Sequence, residues 1–192
     1  KGLLKPGDTV VFVSALAPCK DYVMFEANIR MAKNALDGLV GQPLAQLLYI
    51  SSDADYSDFD GALTEASVPA PDNLHGQMHV SRETMFAATL ADANPDTAFA
   101  TLRPTLIYGA GDPHNGYGPN KYRRLVLAGE KIALFGNGEE RRDHVSVLDV
   151  AELAVRMIER RTAGALNATT GRVASFRELA EMAIGFSDRS IE

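Results

Sequence analysis

Tryptophan is absent from this 192-residue chain and cysteine occurs once, at position 19. A single cysteine, Cys19, excludes an internal disulfide and any cysteine-built metal site, which fits a reducing compartment. No apolar run reaches membrane-spanning length, and the opening KGLLKPGD lacks the apolar stretch of a signal peptide, so the expected location is the cytoplasm. A basic excess is missing too. The 19 Lys and Arg stand against 25 Asp and Glu, a net charge of -6, which argues against nucleic acid as a main partner. Neither an internal repeat nor a low-complexity tract occurs. With 46% hydrophobic residues the chain is long enough to bury one sizeable core.

The densest chemistry lies between Leu47 and Glu83. This stretch begins as a strand-like apolar run, crosses an acidic loop broken by proline and glycine, and ends in a helical pattern. Ser51 and Ser52 fall where the strand meets the loop, and His75 and His79 share one helix face through their i, i+4 spacing. Upstream, Thr9 to Ser14 reads as a strand buried on both faces of a parallel sheet. Between Tyr22 and Val40, the residues Ile29, Ala32, Leu36 and Leu39 recur at helical spacing. The histidine helix continues through Met85, Phe86 and Leu90 to the breaker Asn94-Pro95, and Ala98 to Arg103 forms the next strand.

The later part alternates in the same way. A loop over Gly109 to Gly118 precedes a helix from Pro119 to Ala128. Ile132 to Phe135 reads as a strand turning at Gly136-Asn137-Gly138. Asp149 opens a helix, Gly164 to Gly171 makes a strand and turn, and Ser175 to Glu178 is a capping box that starts a last helix. Strands alternating with helices define an α/β chain.

Several of these segments resemble one family. YISSDADYS at 49–57 resembles the S-S-x-x-V-Y-G segment of the extended short-chain dehydrogenase/reductases, the NAD(P)-dependent epimerases and dehydratases of nucleotide sugars. HGQMHVSRE at 75–83 is similar to that family's Y-G-x-S-K-x-x-x-E, with His75 at the tyrosine position and His79 at the lysine position. LRPTLIYG at 102–109 resembles L-R-P-x-x-x-Y-G. The most specific likeness is GNGEERRDHVSVLDVA at 136–151, against G-x-G-x-x-x-R-D-x-V-x-V-x-D-V-A.

The resemblance implies a Rossmann-like doubly wound parallel sheet, with residues 1–108 as the later part of a dinucleotide-binding domain. Residues 109–192 are then a small substrate-binding portion interleaved with the last strands. The family's G-x-x-G-x-x-G phosphate loop has no counterpart here, so the sheet is expected to be incomplete at its N-terminus and the chain to be part of a longer protein. NAD or NADP is the implied cofactor, beside Ala15, Ala17, Asn28, Ser51, His79, Pro104 and Thr105. Implied substrate contacts are Ser52, Arg123 and Arg142, with Arg142 clasping a diphosphate. Ser52, His75 and His79 are expected to meet around one reacting carbon. Pairing of the two helices from Tyr22 and around His75 across a two-fold axis implies a homodimer.

Three readings of the histidine pair stand side by side. Histidine transfers protons near neutral pH unaided, since its ordinary pKa is about 6.5, so His75 can replace a tyrosine as acid or base. A neutral imidazole at 79 lacks the permanent charge of lysine, which suits a site that has lost chemistry and kept only binding or fold. An i, i+4 histidine pair is also half of a zinc site, but HGQMH lacks the glutamate of H-E-x-x-H, and His114 and His144 fall in implied substrate loops, so no metal is assigned. Asn28 either approaches the cofactor or is an exposed helix residue. The small residues Ser14 to Ala17 either face the cofactor or merely end a strand, and Arg142 either holds phosphate or pairs with a carboxylate such as Asp143. Two functions follow: a divergent NAD(P)-dependent epimerase, dehydratase or reductase acting on a nucleotide sugar or similar alcohol by hydride transfer, or a catalytically silent relative that binds a dinucleotide or a protein partner.

Overall fold

Four parallel strands form the larger sheet. In the computed structural model, which describes residues 3–57, 61–112, 115 and 118–186, these are β1 (Thr9–Phe12), β2 (Gln46–Ile50), β3 (Ala98–Pro104) and β6 (Gly164–Ala168), side by side in the order β1-β2-β3-β6. The register runs Val11 to Leu48 to Ala100 to Gly164. Leu47, Leu48 and Tyr49 are wholly buried, as expected of a strand covered on both faces.

Helix α1 (Tyr22–Leu39) follows β1, and α2 (Leu74–Ala93) follows β2. Asp21 caps α1 by accepting from the Met24 amide. The predicted stripe of α1 is the buried one: Ala32, Leu36 and Leu39 join Leu44, Leu47, Tyr49, Phe86 and Leu90 in a single core. Each fully buried leucine there contributes roughly 2 kcal/mol. Asn94 ends α2, donating through its side chain to the carbonyls of Leu39 and Gln42 and accepting from Gly41.

The chain forms two compact units, Lys1–Pro104 with Glu152–Ala168, and Thr105–Ala151 with Thr169–Glu192. This partition differs from a division after Tyr108. The first unit ends at Pro104 and takes back Glu152–Ala168 because β6 pairs with β3. In the second unit β4 (Leu106–Tyr108) lies parallel to β5 (Arg141–Ser146), and β7 (Val173–Ser175) runs antiparallel to β5. Helices α3 (Gly118–Ala128) and α5 (Phe176–Gly185) complete that unit, and the partition falls inside α4 (Val147–Glu159). The capping box at Ser175 and Glu178 is formed as read from the sequence, with both reciprocal hydrogen bonds present.

Two sequence expectations need correction. Ile132 to Phe135 makes no strand: Ile132 and Leu134 are half-buried while Ala133 and Phe135 face solvent, so the alternation is real but no ladder partner organises the backbone. The tight turn after it does form, with positive φ at Gly136 and Gly138. The first strand stops at Phe12 rather than Ser14, and it is not buried on both faces: it ends the sheet order and leaves Val11 41% exposed. His114 and much of the expected loop between Gly111 and Gly118 lie outside the described residues. Among the described residues no helix is long and apolar enough to cross a membrane.

Candidate active site

The strand β2 delivers Ser51 and Ser52 to a 3-10 turn at Asp53–Asp55. Ser52 caps that turn. Its Oγ accepts from the Ala54 amide at 3.1 Å and donates to Asp53 at 3.3 Å. Asn73 caps α2 in turn, its Oδ1 accepting from the His75 and Gly76 amides at 3.0 Å. Helix and turn then meet at Gly76, where an added Cβ would stand 1.9 Å from the Ala54 carbonyl oxygen. Only glycine permits that approach, and it sets the first two turns of α2, which carry both histidines, against the end of β2.

The two imidazoles lie edge to face with ring centroids 4.8 Å apart. His75 is half-buried, and its Nδ1 accepts a 3.4 Å hydrogen bond from the Cys19 amide. His79 is only 5% exposed. Its Nδ1 sits 2.6 Å from the Tyr49 hydroxyl and 3.4 Å from Ser51 Oγ. Burial lowers the His75 pKa. For His79, burial first, then the charges of His75 and Arg82, push the value down to about 3. Both rings are therefore neutral at pH 7.

One turn beyond His79, Arg82 is wholly buried. Its guanidinium lies 4.8 Å from the Phe12 ring centroid and 5.3 Å from that of Tyr49, and it donates to the Ser14 carbonyl. No carboxylate pairs with it among the described residues, so ring faces, the Ser14 carbonyl, Asn28 Oδ1 at 3.5 Å and Met78 Sδ at 3.4 Å carry its solvation. A second polar cluster lies beside Ser51. Arg103 donates to Glu83 at 3.1 and 2.6 Å and to Tyr56 at 2.7 Å, and its Nε lies 3.0 Å from an Asp55 carboxylate oxygen. Ser51 donates to Asp55 at 3.2 Å, which joins the two clusters. Burial and then Glu83 push Asp55 up to about 9. Burial also works against the charge on Glu83, but the Arg103 fork overcomes it and lowers that pKa.

The expected site residues divide accordingly. Ser51 and His79 come together, but Ser52 does not join them: its hydroxyl is held within its own turn, and it is Ser51 that reaches the imidazole. Asn28 is not an exposed helix residue. It is wholly buried, accepting from the Leu16 amide and donating to the Leu16 and Met24 carbonyls, so it shapes the loop after β1. Ala15 and Ala17 on that loop are exposed, whereas Pro104 is buried. Thr105 donates to Asp143 at 3.1 Å, inside the second unit. There Asp143 also takes the Thr170 and Arg172 amides, and Arg142 meets the Glu140 carboxylate at 2.8 Å. Arg123 is exposed and reaches the Ala110 carbonyl at 3.5 Å.

Sequence reasoning missed Tyr49, Asp55, Arg82, Glu83 and Arg103 as parts of the site. A signal was present for Arg82: it stands midway between Met78 and Phe86 at i, i+4 spacing, a charge on the stripe that faces the core. Among the described residues no group of three or more His, Cys, Asp or Glu side chains is arranged to hold a metal ion.

A parallel sheet flanked by helices, with polar side chains gathered where β2 ends and α2 begins, defines a Rossmann-like α/β fold. The sequence model of the NAD dependent epimerase/dehydratase family matches residues 17–169, and the chain belongs to that family. Solved structures with the same fold include MoeE5 in complex with UDP-glucose and NAD, at 23% identity and a TM-score of 0.83, covering 93% of this chain and 62% of that one. A UDP-glucuronic acid 4-epimerase from Bacillus cereus has 20% identity and a TM-score of 0.86, covering 96% and 60%. A UDP-N-acetylglucosamine 4-epimerase from the same organism has 21% identity and a TM-score of 0.83, covering 96% and 65%. The chain thus spans less than two thirds of the length of each.

Proposed function

We propose that this chain is part of an NAD(P)-dependent enzyme acting on a nucleotide sugar or similar alcohol, with His75 as its proton-transfer group. The observation that carries this is the state of His75: a neutral, half-exposed imidazole at the position of the family's tyrosine, oriented by the Cys19 amide. Solved relatives of the fold hold NAD and UDP-sugars, which supports the ligand class. The residues here fit the nicotinamide side of a dinucleotide. Ala15 and Ala17 are small and exposed, and Nε2 of His79 has no protein partner among the described residues. When bound, the dinucleotide supplies the hydride exchange with the sugar carbon.

In this reading His79 donates one hydrogen bond to a ribose oxygen, without the charge of a lysine. Asn28 and Arg82 hold the loop after β1 in place, through Leu16 and Ser14 respectively. Ser52 serves the substrate hydroxyl by turning its proton from Asp53 to the ligand. Arg123 and Arg142 are proposed contacts for substrate phosphate oxygens, and a homodimer through α1 and α2 belongs to the same proposal.

A silent, ligand-binding relative is the competing function, favoured by the missing cation at position 79. The separating experiment uses the full-length protein with NAD(H) and NADP(H), nucleotide sugars added, and absorbance at the reduced-nicotinamide band. His75→Ala is expected to abolish turnover with cofactor affinity nearly unchanged. Dinucleotide binding with no turnover on any nucleotide sugar establishes the silent reading instead.

A further inference from the structure

Tyr49 has no role in the family likeness, yet its hydroxyl makes a short contact with His79. The ring is wholly buried on β2, 2.6 Å from Nδ1 of His79 through its oxygen. Its hydrogen has Nδ1 as an acceptor at 2.6 Å, with the Ser51 hydroxyl beside it, while Arg82, which lies over the ring, is a donor only. The reverse arrangement, with Nδ1 carrying the proton, pairs the weaker donor with the weaker acceptor, since a phenol O–H donates to an imidazole nitrogen more readily than an imidazole N–H does to a phenol oxygen. Burial, against the opposing charge of Arg82, leaves the phenol protonated, with its pKa raised. His79 Nδ1 is thus an acceptor, so its remaining hydrogen sits on Nε2.

We propose that Tyr49 is a positioning residue: by donating to Nδ1 it fixes His79 as a neutral Nε2–H donor, ready for an acceptor oxygen of a bound dinucleotide. The ligand half of this statement rests on the proposed function, while the tautomer half stands on the protein alone. His75 repeats the pattern independently, since the Cys19 amide also occupies its Nδ1. Both rings of the pair therefore direct their N–H at Nε2, and neither has that nitrogen bound by another described residue.

The test is nitrogen-15 NMR of histidine-labelled full chain, with and without NAD. Expected for the unmodified protein is one His79 tautomer, protonated at Nε2, that does not titrate between about pH 5 and pH 8. Tyr49→Phe keeps the ring and removes the donor. It is expected to give a mixed tautomer, and about a fivefold weaker Kd for NAD. Finding Nδ1–H on His79 in the unmodified protein overturns the proposal, whether or not the variant folds. So does a folded Tyr49→Phe protein whose His79 tautomer is unchanged. An Nε2–H signal with no NAD binding supports the role of Tyr49 and overturns the dinucleotide reading instead.

Discussion

Asp55 and Arg103 meet at 3.0 Å with side chains 0% and 6% exposed, and Glu83 grips the same guanidinium. One cation therefore faces two carboxylates in a dry place, and Oδ1 of Asp55 has no partner among the described residues. Such a cluster keeps its charge balance only if one carboxyl retains a proton, and the pKa of about 9 assigns that proton to Asp55.

The pH consequence has a definite sign. The folded pKa of Asp55 lies above its unfolded value, so its stabilising contribution is complete below pH 4 and fades as pH rises toward 9. Asp55→Asn keeps the shape and removes the titration. Across pH 5 to 8 the variant is expected to gain on the unmodified protein by up to about 1.4 kcal/mol per pH unit. Denaturant midpoints measured across that range check this, and parallel pH profiles would mean that Asp55 is ionised in the fold.

Gly76 tests the contact between α2 and the turn. A Cβ there meets Ala54 backbone at 1.9 Å and the Pro71 side chain at 2.5 Å, so Gly76→Ala has to push the helix off the turn. A loss of about 3 kcal/mol or more is expected. Gly41→Ala is the control: φ is +74° but nothing lies within 4 Å, so only backbone strain of about 1 kcal/mol applies. Equal losses at the two positions in chemical denaturation would show that Gly76 is chosen for its backbone angle and not for close approach.

The sequence carried the α/β alternation because each long element announces itself locally. The stripe of α1, the Asn94 stop and the Ser175 capping box all depend on neighbours within one or two turns. The three-residue strands β4 and β7 carry too few positions for a period to show, and the alternation at Ile132 to Phe135 imitated a strand because no local rule records whether a ladder partner exists. The site was legible as a neighbourhood but not in its connections. His75 and His79 were found by spacing, whereas Tyr49, Asp55 and Arg103 reach the same place from three different segments. Ser51 and Ser52 alternate across the strand, and burial alone decides which one turns inward.

Acid sensitivity follows from His79. Its folded pKa of about 3 lies below the unfolded 6.5, so the neutral ring stabilises fully above pH 6.5 and that contribution is lost as pH falls. His79→Asn retains an acceptor for the Tyr49 hydroxyl and cannot titrate in this range. Between pH 6 and 4.5 the unmodified protein is expected to lose stability faster than the variant, by up to about 1.4 kcal/mol per pH unit. The check is the difference between their urea midpoints, and a constant difference would show that His79 is protonated as readily in the fold as outside it.

Rebuilding the family's lysine at position 79 is expected to fail without a second change. His79 is 5% exposed and Arg82 already places a charge beside it, as the lowered His79 pKa records. A lysine there adds a like charge to a dry site and confronts the Tyr49 hydroxyl with a donor instead of an acceptor. His79→Lys should therefore cost about 3 kcal/mol or more. Arg82→Met alone should change stability by only about 1 kcal/mol, because a buried arginine without a carboxylate is poorly compensated to begin with. Combined, the two should recover at least about half of the lysine's cost, a coupling that a double-mutant cycle in denaturant measures directly. Simple additivity would mean that the two cations do not sense each other, and that the histidine at position 79 owes nothing to the buried arginine one turn along.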